Sequence, residues 1–161
     1  MDKKKVMMSL GIPEGHDLVL RQLGRLAVAH GNLEMVQIMS LKILEKLEPD
    51  EAVRKYRKVQ ASKIRKKICD HIKTSSLAAD DKEEISELIR EAWDLSDQRN
   101  SLLHRFWGTI DGKWLTSPDE ANWEPLPNHA VIEDLTGRIQ ASTKKINYSR
   151  MKGKILQASK S

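Results

Sequence analysis

The chain of 161 residues is poor in cysteine, proline, glycine and aromatic residues. Its single cysteine, Cys69, cannot form an internal disulfide, so nothing indicates an oxidising compartment. The scarcity of glycine and proline favours long helices over many short strands.

Long hydrophobic runs are also missing. No stretch approaches the ~20 apolar residues of a membrane-spanning helix. The apolar run at residues 6–10, which follows Lys3, Lys4 and Lys5, is too short for a signal peptide. We therefore expect a cytoplasmic protein without a membrane partner.

The charged residues are arranged in blocks, within a net charge of +5. Eight basic residues and no acid lie in 54–67, eight acids lie in 80–97, and six basic residues and no acid lie in 144–160. The blocks could bind a polyanion, or they could be solvated or mutually matched helix faces, which the modest net charge favours. The candidate RNA-binding residues are Arg54, Lys55, Arg57, Lys58, Lys63, Lys66, Lys67 and Arg105.

Hydrophobic periodicity predicts an all-α protein, an antiparallel four-helix bundle. The first helix keeps its phase across Gly31, the second begins with proline in its first turn, and the third opens on capping boxes at Asp80 and Asp81. Asn128 suits the N-cap of the last helix. The predicted helices run from Asp17 to Leu47, from Pro49 to about Lys73, from Asp80 to Phe106, and from Asn128 to about Lys152.

A small β-hairpin is predicted between the third and fourth helices. Asp111-Gly112 separates two short β-prone runs within Trp107–Leu115, which is typical of a two-residue hairpin loop. For the domain organisation we expect a flexible lead-in over 1–15, one helical domain over 16–152, and a frayed basic tail over 153–161.

Motifs of metal and cofactor sites are missing. The sequence has no Glu-x-x-His pair, no His-Glu-x-x-His helix, no Cys-x-x-Cys pair and no glycine-rich phosphate loop. His30 and Glu34 lie one helical turn apart, as do His129 and Glu133, and both pairs favour surface or helix-stabilising contacts. We predict no metal and no cofactor.

The end of the third helix contains the candidate catalytic residues, Arg99, Asn100 and His104. Arg99 occupies a position of the apolar stripe where a hydrophobic residue is expected, and a charge there is costly unless it is paired or adjoins a cavity or interface. His104 lies about 140° from Arg99 around the helix, so the two can flank a groove. Alternatively, Arg99 pairs with an acid of another helix, and Asn100 and His104 complete a buried polar network.

This segment resembles the HEPN family of helical bundles. Arg99-x-x-x-x-His104, with a polar residue directly after the arginine, is similar to the family's R-x4–6-H signature. Leu102 and Trp107 also match, as do Gly24-Arg25 and Ala29-His30-Gly31-Asn32-Leu33-Glu34 in the first helix. The chain departs from the pattern at Arg105, where members of the resembled family frequently have glycine. This side chain could crowd the groove or change its charge.

The resemblance implies a metal-independent ribonuclease that acts as a homodimer, of the toxin or phage-defence kind, for which an antitoxin is a conceivable partner. His104 would abstract the proton of a 2′-hydroxyl, Arg99 would stabilise the phosphate, and Asn100 would fix the imidazole tautomer or donate a hydrogen bond to the substrate. Two other hypotheses stay open. One is a non-catalytic module that binds a protein or a nucleotide, and the other is a nucleic-acid binder that acts through 54–67, although few aromatic residues lie nearby in the sequence.

Overall fold

A computed structural model describes residues 15–110, 113–119 and 121–160. These residues form six helices and a small three-stranded antiparallel sheet. None of the described helices is long and apolar enough to cross a bilayer. The elements are α1 (Asp17–Leu44), α2 (Pro49–Tyr56), α3 (Ala61–Thr74), α4 (Ala79–Leu103), β1 (Phe106–Ile110), β2 (Lys113–Ser117), β3 (Glu124–Pro125), α5 (His129–Lys152) and α6 (Lys154–Ala158).

The core lies between the four longest helices. α1 packs most extensively against α5 and also against α3, and α4 packs against both α3 and α5. Each helix contributes apolar side chains at spacings of three and four, which places them on one face. The fully buried residues include Leu33, Ile68, Leu95 and Ile139, one from each of these helices.

The predicted second helix is interrupted, so this prediction was wrong. α2 ends at Tyr56 and α3 begins at Ala61. In a continuous helix, Gln60 and Lys63 would lie four and seven residues after the buried Tyr56 and would therefore face the core with it. Between Tyr56 and Ala61, Val59 is the one apolar residue. The interruption keeps Gln60 and Lys63 exposed and lets both short helices bury their apolar faces.

The other helix ends also differ in part from the prediction. α1 is continuous across Gly31, as predicted, and Asn128 caps α5 by accepting a hydrogen bond from the backbone N–H of Ala130 at 2.9 Å. The capping boxes at Asp80 and Asp81 were wrong, because Ala78 is the N-cap of α4 and no side chain caps it. α4 ends at Leu103, and Phe106 begins β1, where it is 36% exposed instead of buried.

The chain between α4 and α5 forms the small sheet. β1 and β2 pair antiparallel from Phe106↔Ser117 to Ile110↔Lys113, and the predicted turn residues Asp111 and Gly112 lie outside the described residues. β3 adds a third strand through Thr116↔Glu124, which was not predicted. The predicted lead-in also lies outside the described residues, apart from Gly15.

The expected frayed tail is ordered in the structure. Residues 154–158 form α6, in which Ile155 is fully buried and Ala158 is 7% exposed. The prediction failed because the last apolar residues follow Gly153, outside the periodic pattern of α5. Lys154 pairs with Asp81 at 2.7 Å and also with Glu84, which connects this short helix to the beginning of α4.

Candidate active site

Arg99 lies on the side of α4 that faces the core. Its neighbours on this side, Leu95 and Leu102, are buried or half-buried. The Nε atom of Arg99 is buried without a hydrogen-bond partner, while its Nη1 donates to Oδ1 of Asn100 at 2.9 Å. No carboxylate among the described residues forms an ion pair with Arg99. The acidic partner of the alternative hypothesis is therefore not found in the described part of the chain.

His30 is a member of this site that the sequence reasoning missed. It is 5% exposed, its Nδ1 lies 3.8 Å from Oε1 of Glu34, and its Nε2 is buried without a hydrogen-bond partner. Burial lowers the pKa of His30; Glu34 opposes this shift, and the positive charges of Arg99 and Arg65 add to it. The contact of His30 with Glu34 is the helix-stabilising one that the sequence predicted, but His30 itself is buried instead of lying at the surface, where the positive charges of Arg99 and Arg65 also act on it.

Arg65, from α3, extends the buried polar cluster. The side chain is 4% exposed, its Nε donates to Oε1 of Gln37 at 3.3 Å, and its guanidinium carbon lies 5.2 Å from the centre of the Trp93 ring. Burial lowers the pKa of Arg65, although Asp97 and Glu34 oppose this shift. α1, α3 and α4 therefore enclose two arginines and a histidine at the same level of the bundle.

His104 lies apart from this buried cluster. It is the C-cap of α4, its backbone N–H donates to the Asn100 carbonyl at 3.0 Å, and it is exposed. The position of His104 around α4, about 140° from Arg99, accounts for the separation. The structure thus brings Arg99 and Asn100 together, whereas His104 lies at the surface near the same end of the helix.

Arg105 is bound on the side of the sheet. Its Nη1 lies 2.8 Å from Oε2 of Glu124 on β3, and its Nε donates to the carbonyl of Ser101 at 3.2 Å. The charge that replaces the family's glycine is therefore paired, and the ion pair connects the end of α4 to the sheet.

The basic residues of 54–67 do not form one surface. Lys55 and Lys67 pair with Glu45 at 2.8 and 3.5 Å, so their charges stabilise the contact of α1 with α2 and α3. Arg54, Arg57 and Lys58 are exposed at and after the end of α2, and the remaining candidates, Lys63 and Lys66, line a groove between α3 and α4.

Glu45 is the centre of a separate polar cluster. Burial acts to raise its pKa, but hydrogen bonds from Lys55, Tyr56 and His71 outweigh burial and lower the pKa of Glu45 to about 2. All its polar contacts join helices of the same chain. We interpret this cluster as a structural connection between α1, α2 and α3.

Comparisons with known proteins assign neither a family nor a function to this chain, and the described residues show no metal site. No family model, no curated protein and no solved structure matches this chain. The described ranges contain no group of three or more histidine, cysteine or acidic residues placed to bind a metal ion. The site is therefore interpreted from its own geometry, together with the resemblance in the sequence.

Proposed function

We propose that the protein is a metal-independent endoribonuclease of the HEPN type that acts as a homodimer. The observation that carries the proposal is the environment of Arg99: its Nε is buried without a hydrogen-bond partner, and no described carboxylate pairs with it. Such a charge is costly within a fold. An RNA phosphate would supply the missing negative charge and accept hydrogen bonds from the guanidinium group.

The proposed reaction transfers a phosphoryl group within the RNA. The imidazole of His104 takes the proton of a 2′-hydroxyl, and the 2′-oxygen bonds to the adjacent phosphorus. The bond from phosphorus to the 5′-oxygen breaks, which leaves a 2′,3′-cyclic phosphate and a 5′-hydroxyl after a proton reaches the leaving oxygen. Arg99 stabilises charge on the phosphate oxygens, and Asn100 holds the guanidinium through the 2.9 Å hydrogen bond to Nη1.

A second copy of the chain completes the proposed site. His104 is exposed and lies away from Arg99 around α4, so one copy supplies one imidazole at the surface. A two-fold axis beside the ends of two α4 helices would bring both motifs into one cleft, where His104 of the second copy protonates the leaving oxygen. If sedimentation shows a monomer at high protein concentration, the composite site cannot form and this part of the proposal is rejected.

The proposed fold follows from the same resemblance. We assign α1, α3, α4 and α5 to the four principal helices of a HEPN-like antiparallel bundle, with the β1–β2 pair inserted before the last. The packing of α1 and α4 against both α3 and α5 supports this assignment. The toxin or phage-defence class and an antitoxin partner are hypotheses that derive from the resemblance alone.

The test of the proposed function compares two histidines. His104→Ala should abolish RNA cleavage because it removes the base, whereas His129→Ala, an exposed histidine at the start of α5, should leave cleavage unchanged. Both variants should keep the wild-type melting temperature, since both side chains are exposed. Equal cleavage by wild type and His104→Ala, or no cleavage of any RNA by the wild type, would reject the proposal.

The alternative is a non-catalytic HEPN-like interaction module that binds a protein partner or a nucleotide. The enclosure of Arg99 near His30 and Arg65 favours it, because such a polar cluster can also fix the packing of three helices. In that case, replacement of Arg99 would lower stability without any loss of a measurable activity.

A further inference from the structure

A groove between α3 and α4 has a cavity volume of about 590 Å³, a size typical of ligand pockets. We call it the α3–α4 groove. Five positively charged side chains from both helices line it, and one aromatic side chain lies among them. These residues are Lys63, Arg65, Lys66, Lys73, Arg90 and Trp93.

The cations of the groove are mostly without acidic partners. Glu83, an acid of the lining, lies 3.5 Å from Arg90, but none of the other four cations has an ion pair with a described residue. Arg65 is the strongest case because it is 4% exposed and bonds through Nε to a neutral amide. A buried cation without an ion-paired carboxylate, opposed only by the more distant charges of Asp97 and Glu34, is complementary to an anionic ligand when the groove is lined by further cations.

Trp93 adds a flat apolar surface to this positive groove. It is 41% exposed, which is a large fraction for the largest apolar side chain. The Arg65 guanidinium lies over its ring at 5.2 Å and orients the indole, of which a substantial part stays accessible to solvent. Exposed aromatic rings beside cations are typical of surfaces on which unpaired nucleic-acid bases stack.

We propose that the α3–α4 groove binds single-stranded RNA, with one base stacked on Trp93 and the adjoining phosphates bound by Lys63 and Lys66. The inference rests on the proposed function in one respect, namely that the bound strand is its substrate. Trp93 and His104 lie on the same face of α4, about 16 Å apart along the axis. A strand held at Trp93 can therefore extend along α4 towards His104.

Asp97 lies between these two residues on the same face and is exposed. Its negative charge disfavours a phosphate at that point. The binding energy consequently comes from the groove, and the strand crosses Asp97 without a strong contact.

Binding is measured by fluorescence anisotropy of a labelled single-stranded RNA, in a chain that carries His104→Ala to prevent cleavage. Trp93→Ala is compared with Tyr148→Ala, which removes another exposed aromatic residue, on α5. The double variant Lys63→Glu/Lys66→Glu is compared with Lys152→Glu/Lys160→Glu, which changes the net charge equally at exposed positions outside the groove. The melting temperature of each variant verifies that it is folded.

Trp93→Ala should weaken RNA binding about 5- to 150-fold, the range expected when one base no longer stacks. The lysine double variant should also weaken binding. It should reduce the slope of log affinity against log salt concentration by about 0.7 for each phosphate that the protein no longer neutralises. The two control variants should bind like their parent.

Cys69 gives an independent measurement, because it lines the groove and is the one cysteine of the sequence. RNA should slow its alkylation by a maleimide in the His104→Ala chain, and Trp93→Ala should abolish this protection.

The proposal is overturned if Trp93→Ala and the lysine double variant bind RNA as tightly as their controls. It is also overturned if a mononucleotide protects Cys69 while single-stranded RNA does not. Binding that depends on Trp93 together with a wild-type chain that cleaves no RNA would reject the proposed function and leave this site standing. Cleavage without any dependence on Trp93 would reject this site and leave the proposed function standing.

Discussion

At the scale of single residues, Arg99 places a positive charge on the buried side of α4, where its Nε, like that of Arg150, is buried without a hydrogen-bond partner. A buried N–H group without a partner costs about 1–3 kcal/mol. The cost is understandable if the guanidinium serves a ligand that binds from outside the bundle, because a functional group can be retained at the expense of stability.

Replacement of Arg99 by methionine separates the functional from the structural interpretation. If Arg99 serves a phosphate, Arg99→Met should abolish RNA cleavage and keep or raise the melting temperature, since it removes an unpaired N–H and preserves the apolar length. Arg25→Met, at an exposed position of α1, is the matched control. A fall of several degrees in Arg99→Met alone would identify a structural role.

Glu45 gives a prediction about the pH dependence of stability. Its folded-state pKa of about 2 lies below the ordinary value of 4.5, so its contribution is present above pH ~4.5 and is lost as the pH falls towards 2. Glu45→Gln should lower stability by about 2 kcal/mol at neutral pH, because it weakens charged hydrogen bonds. The exposed Glu48→Gln should have no such effect.

Thermal unfolding of both variants and the wild type between pH 7 and pH 2 measures this effect. The difference in melting temperature between wild type and Glu45→Gln should narrow as the pH falls below ~4.5. A constant difference across this range would show that the charge of Glu45 makes no contribution.

The sequence predicts the position of a site residue where that position depends on contacts within one helix, and fails where it depends on contacts between helices. The position of Arg99 on the buried side of α4, and of His104 on another side, follows from helical spacing within one element. His30 and Arg65 were missed because their roles depend on packing between α1, α3 and α4. A signal was present in α1, where Gln22, His30 and Gln37 interrupt the apolar stripe, and all three are buried.

At the scale of elements, the long periodic helices were predicted well and the short ones were not. The first helix and the cap of the last agree with the structure because each depends on local sequence. The break between α2 and α3 was missed because proline and glycine, the usual signals of a break, are lacking there. α6 was missed because a helix of five residues has too little periodicity to be recognised.

α6 should contribute to stability through Ile155. This side chain is fully buried, so Ile155→Ala should cost about 2–5 kcal/mol and lower the melting temperature by several degrees. Gln157→Ala, which changes an exposed residue of the same helix, should change it little. If both variants melt like the wild type, α6 is not packed on the core in solution.

At the scale of the whole molecule, the groove and its positive charges lie on the same side of the protein, the α3 side of α4. The α3–α4 groove contains cations without acidic partners, and α4 continues from the groove to Arg99, Asn100 and His104. The acidic residues of α4 are partly paired with Lys145 and Lys154 on the α5 and α6 side. A polyanion would therefore bind on the α3 side of α4, where the proposed substrate lies.

Metal-independent cleavage of RNA is tested most directly with the wild-type chain in the presence of a chelator. A single-stranded RNA and the DNA of the same sequence are incubated with the protein, and mass spectrometry identifies the ends of the products. We expect only the RNA to be cut, because DNA lacks the 2′-hydroxyl, and the products to carry a 2′,3′-cyclic phosphate and a 5′-hydroxyl. Cleavage that requires a divalent metal and leaves a 5′-phosphate, or equal cleavage of the DNA, would contradict this expectation.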